Sequence, residues 1–142
     1  MGKFTLPILA LLVAGVSAGV VSPTTRCGGV GTPLQLRISD CEGRCTFVAG
    51  KPYDCEEDFM PSSAAPSLSL RMDVCLDMGL CYTIFEVVLA NSSVQPGFTY
   101  TAKYQVVPND ILRGETVRIQ AFIYQTANFR IETCLEIEAT IS

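Results

Sequence analysis

Apolar and polar positions alternate with a period of two through most of the chain. Leu34, Leu36 and Ile38 alternate with Gln35, Arg37 and Ser39, and Leu68, Leu70, Met72, Val74 and Leu76 alternate with Ser69, Arg71, Asp73 and Asp77. The pattern returns in Phe98, Tyr100, Ala102, Tyr104 and Val106 against Thr99, Thr101, Lys103 and Gln105. It returns again in Val117, Ile119, Ala121 and Ile123 against Arg118 and Gln120. A last run sets Phe129, Ile131, Leu135, Ile137, Ala139 and Ile141 against Arg130, Glu132, Glu136 and Glu138. Successive side chains of a strand point to opposite faces, so each run predicts a strand with one buried face. Turn formers separate the runs, among them Gly50-Lys51-Pro52, Asp77-Met78-Gly79, Gln95-Pro96-Gly97 and Pro108-Asn109-Asp110. About seven short antiparallel strands, each with one apolar face, bury those faces by stacking two sheets. The expected fold is an all-β sandwich.

The N-terminus reads differently. Lys3 precedes an apolar run from Phe4 to Val16, and Val16-Ser17-Ala18 resembles a small-residue cleavage site. Residues 1–18 are expected to be a signal peptide, because the run is shorter than the ~20 residues of a spanning helix. Residues 19–142 then form one domain of 124 residues. Nine basic residues face fourteen acidic ones there, a net charge of −5. That balance argues against nucleic acid as a partner. Asn91-Ser92-Ser93 is an N-glycosylation sequon, which fits a surface loop of a secreted chain.

The chain has no histidine. This removes Ser-His and Cys-His nucleophiles and ordinary His-containing zinc sites, so no enzyme activity, metal or cofactor is expected. The acidic cluster Asp54, Glu56, Glu57 and Asp58 lacks the turn glycine of a calcium loop and reads as a solvated edge. Phe59, Met60 and Pro61 follow it as a plain loop or as an apolar lip.

Seven cysteines lie in residues 19–142, an odd number that leaves one thiol unpaired or bonded to another molecule. Cys41 and Cys45 can close a small loop, while a bridge from Cys27 to Cys134 would tie the first segment to the last strand. Cys75 and Cys81 flank the tight turn at Asp77-Met78-Gly79 and would face each other across a hairpin, leaving Cys55 free. Pairing of Cys55 with Cys75 is the alternative.

Cys41-Glu-Gly-Arg-Cys45, followed by Gly50-Lys51-Pro52-Tyr53, resembles the opening of an ML lipid-recognition domain. Cys27-Gly28, Pro96-Gly97-Phe98-Thr99-Tyr100 with Val107-Pro108, and Cys134-Leu135-Glu136-Ile137 are similar to further motifs of that family. The resemblance spans about residues 26–142, with Arg26 standing where the family has an acid. It implies an immunoglobulin-like β-sandwich stapled by Cys27–Cys134 and Cys41–Cys45, whose sheets part to hold an apolar lipid. One departure concerns the Cys-x5-Cys pair of the family's sterol carriers. That pair precedes the Gly-x-x-Tyr strand, where this chain has Ala90-Asn-Ser-Ser-Val-Gln95.

The resemblance turns the inward sets into candidate lipid contacts: Leu70, Met72 and Val74; Phe98, Tyr100 and Tyr104; Ile119 and Ile123; Phe129, Leu135 and Ile137. The expected function is a secreted or endolysosomal carrier of sterol, fatty acid or phospholipid, monomeric, with transient membrane or receptor contact. The alternatives are a lipid-sensing immune accessory protein and a ligand-free structural or defensive sandwich.

Overall fold

The computed structural model describes residues 18–142. The expected signal peptide, apart from Ala18, lies outside the described residues. Ten strands follow one another: β1 (Ala18–Val20), β2 (Thr25–Gly28), β3 (Thr32–Ser39), β4 (Cys45–Phe47), β5 (Tyr53–Met60), β6 (Leu68–Cys75), β7 (Cys81–Val88), β8 (Tyr100–Val106), β9 (Thr116–Gln125) and β10 (Ile131–Ile141). A 3-10 turn at Asp110–Leu112 interrupts the β8–β9 connection. The count exceeds seven because β1, β2 and β4 hold only three or four residues each, too few to display alternation.

The strands form two sheets, as the alternation requires. One sheet runs β1-β3-β5-β8, and the other runs β2-β10-β9-β6-β7 with β4 beside β10. All pairings are antiparallel except β4 with β10. The inner faces meet in a core in which Phe47, Tyr53, Phe59, Leu68, Leu70 and Ile123 are almost wholly buried. Tyr53 shows how a polar tip is accommodated there: its ring packs 4.5 Å from Phe47, and its hydroxyl accepts from Val48 N at 2.7 Å.

Disulfides close this frame. Cys27 bonds Cys134 across 107 residues, Cys41 bonds Cys45, and Cys75 bonds Cys81 at the mouth of the β6–β7 hairpin. Cys55 is a free, buried thiol. At the β2–β3 turn, Gly29 adopts a φ of +98°, and a Cβ there would come within 2.4 Å of the Glu132 carbonyl. Glycine therefore lets this turn press directly on β10.

Phe59 and Met60 belong to neither a loop nor a lip. They end β5, and Phe59 points into the core, because Tyr53, Cys55 and Phe59 share one face of that strand. Exposed apolar side chains occur elsewhere, among them Met78 and Leu80 of the β6–β7 turn, Ile84, Val87 and Val88 of β7, and Val107 and Ile111 after β8.

Candidate functional site

One sheet ends with β8 and the other with β7, and the two edges come together around two grooves that residues of both sides line. The edge at β7 is left uncovered. Ile84 and Val87 are 42% and 47% exposed, although Val87 pairs with the fully buried Leu70. Two grooves lie along this edge, each lined by β8 together with β7 or the loop after it, and a third, smaller space lies between the sheets.

The central space lies between the sheets. Met72, Tyr104, Ile119, Leu135 and Ile137 line it, together with Leu36, Ile38, Phe47, Cys55, Val106 and the small Ala121. Its free volume is about 20 Å³, room for about one water molecule. A groove of about 360 Å³ opens at one end, where β6 finishes and β9 begins, and it shares Val106 and Ile119 with the central space. Another groove, of about 370 Å³, opens at the opposite end between the start of β8 and the loop after β7. Phe59, Leu68, Tyr100 and Ala102 form its apolar wall, and Asn91, Ser92 and Ser93 its lip.

The expected contacts divide accordingly. Met72, Tyr104, Ile119, Leu135 and Ile137 converge on the central space, Val74 lines the groove at the β9 end, and Tyr100 lines the other groove. Leu70 and Ile123 are fully buried in the core and line none of these spaces. Phe98 and Phe129 lie outside the sandwich, 63% and 72% exposed. Their strands begin two residues later than the alternation suggests. Phe98 follows the Gln95-Pro96-Gly97 turn, and Phe129 sits at a φ of +61°, its ring stacked on Tyr124.

The acidic cluster also divides. Asp54, Glu56 and Asp58 lie on the outer face of β5, where Arg37 donates to Asp58 through two nitrogens at 2.7 and 3.0 Å and to Glu56 at 3.2 Å. The Arg37 hydrogen bond holds the Asp58 carboxyl below the usual range. Glu57 is fully buried between the sheets, which corrects its place on a solvated edge. Thr133 Oγ1 of β10 donates to its Oε2 at 2.8 Å, while its Oε1 has no partner. Burial pushes the Glu57 carboxyl up to about 7 and the Cys55 thiol up to about 12, and it also raises the Tyr104 hydroxyl. Period two already carried this signal: Tyr53, Cys55 and Phe59 point inward, so Glu57 must as well.

No protein-family model and no curated protein matches the chain. Among solved structures, a Niemann-Pick type C2 protein from Japanese carpenter ant superposes with a TM-score of 0.72 at 15% identity, covering 84% of this chain and 99% of that one. The C-terminal domain of wzt superposes with a TM-score of 0.62 at 12% identity, covering 89% of this chain and 82% of that one. Chicken MD-1, complexed with lipid IVa, has 12% identity over 80% of this chain and 94% of its own, with a TM-score of 0.46. At such identities the likeness is one of fold. The two sheets stapled from first segment to last strand give this chain the fold of the Niemann-Pick type C2 protein, the architecture that the ML resemblance implied.

Proposed function

We propose that this chain is a non-enzymatic lipid carrier of the secreted or endolysosomal space, holding a sterol or a related apolar lipid between its two sheets. The observation that supports it most is the apolar central space, which shares Val106 and Ile119 as wall residues with an open groove at the β9 end of the sandwich. A lipid that buries about 400–500 Å² there gains roughly 10 kcal/mol gross. A ceiling near 0.3 kcal/mol per heavy atom leaves about 8 kcal/mol for a sterol-sized ligand, or micromolar binding. That strength suits both carriage and release.

Ligand pockets run to roughly 300–1,000 Å³, so the sheets must part along β7 and β8 for a lipid to enter the closed centre. The exposed Ile84 and Val107, which line that groove, offer apolar contacts for a donor or acceptor membrane. The small central volume favours a second reading, a ligand-free structural sandwich. Native mass spectrometry of the protein secreted from a eukaryotic host separates the two. A stoichiometric lipid adduct supports the carrier. A protein that emerges empty and takes up neither fluorescent sterol nor fatty acid is the structural sandwich.

A further inference from the structure

Among the described residues, the two carboxyls with no exposure at all, Glu57 and Glu132, are partnered differently. Glu132 accepts from Ser62 N, Ser62 Oγ and Gln125 Nε2 at 2.8, 3.1 and 2.7 Å, and so ties the loop after β5 to β9 and β10. Glu57 has one donor, Thr133, and one oxygen with none. An unmet carboxyl oxygen in an apolar interior is destabilising, and fold alone gives no reason to keep it.

Its position suggests the reason. On the inner face of β5, Glu57 stands between Cys55, which lines the central space, and Phe59, which lines the 370 Å³ groove. Its register partner on β8 is Ala102, which lines the same groove. The neighbouring cations do not reach it: Arg37 of β3 and Lys103 of β8 bind Glu56 and Asp58 on the outer face. The titratable groups on its own side are Cys55 and Tyr104, both held neutral by burial. Glu57 lines neither space itself, its unpartnered Oε1 being buried between them, and Lys103 of the groove wall is held by Glu56 at 3.7 Å. A molecule that reaches Glu57 as the sheets part therefore meets one acceptor that, among the described residues, is in no ion pair.

We propose that Glu57 is the polar recognition point of the lipid site, accepting a hydrogen bond from the hydroxyl of an uncharged amphiphilic lipid and disfavouring a fatty acid anion. This rests on the carrier reading above. It adds a chemical class to that reading: alcohols and hydroxyl-bearing lipids over carboxylates and over lipids without a donor.

The test is displacement of the apolar fluorophore N-phenylnaphthylamine from the disulfide-intact protein by hexadecanol, hexadecyl methyl ether and palmitate at neutral to mildly alkaline pH. A hydrogen bond to a charged acceptor makes hexadecanol the better competitor over the ether by about tenfold or more. Palmitate is expected to compete less well than hexadecanol. Glu57→Leu brings alcohol and ether to near equality while the fluorophore still binds. The near-isosteric Glu57→Gln, which protects the test against a misfolded leucine variant, narrows the preference. Thr133→Val keeps it, because the acceptor remains. An alcohol-to-ether ratio near one in the unaltered protein, or the same ratio in all variants, overturns the assignment of Glu57 and leaves the carrier reading intact. A fluorophore and lipids that fail to bind overturn both.

Discussion

Thr133 Oγ1 of one sheet donates to Glu57 Oε2 of the other across 2.8 Å, and among the described residues this is the side-chain hydrogen bond that joins a strand of one sheet to a strand of its opposite. It places an ionisable group where the two sheets must separate if the centre is to open.

Stability should depend on pH through that group. Burial raises the Glu57 carboxyl from 4.5 to about 7, with the Asp58 charge adding to the effect and the Thr133 bond opposing it. An acid raised in the folded state contributes stability that is fully present below about pH 4.5 and is lost as pH rises through about 7. The interval is worth about 3 kcal/mol. Asp58, held low by Arg37, loses its contribution only on stronger acidification, outside this window. The urea midpoint is therefore expected to be higher near pH 5 than near pH 8, and Glu57→Gln to flatten the difference and to be the more stable protein at the higher pH. Equal pH profiles for the two proteins would remove Glu57 as the cause.

The disulfides should differ in weight. On the chain-entropy model, the 107-residue separation of Cys27 and Cys134 gives about 4–5 kcal/mol, and the six-residue separation of Cys75 and Cys81 gives about 2 kcal/mol. Paired alanine replacements followed by urea unfolding compare them directly. A larger loss from Cys75 and Cys81 would mean that the hairpin bridge does more than close a turn.

Ala121 gives the central space its smallest wall, between Met72 and Leu135 in the register of β9 with its neighbours. Ala121→Phe fills that space and should abolish lipid uptake at a cost of about 1–3 kcal/mol in stability. Uptake that survives in a folded variant would place the ligand in the open grooves instead.

The sequon lies on the lip of the groove beside Phe59 and Ala102. Asn91 is exposed at a φ of +52°, while Ser92 Oγ is engaged with the backbone of Leu68 at the start of β6 and of Leu89 just after β7. Expression in a secreting eukaryotic host is expected to add a glycan at Asn91 that a glycosidase removes and that Ser93→Ala prevents. If glycosidase leaves the mass unchanged, the groove lip is bare.

Alternation is a local property of the chain, and what depends on it alone was determined by the sequence. The strands β3, β6, β8, β9 and β10 and the faces they bury follow from a period of two, and the turn between Cys75 and Cys81 from its turn-forming residues. The strand β5, whose acidic residues read as a solvated edge, and the exposed β7 do not emerge from it, although the inward direction of Glu57 follows once β5 is a strand. Depth and partnership do not. Leu70 and Met72 share one face of β6, yet Leu70 packs into solid core while Met72 borders the central space, because the gap between the sheets varies along the strand. Phe98 and Phe129 keep the alternation but fall beyond the point where pairing begins, so they face solvent. The parallel placement of β4 beside β10, the short strands β1 and β2, and the opening between β7 and β8 arise from contacts between segments distant in the chain. A strand's pattern says which way its side chains point; only the assembled sheets decide what they meet.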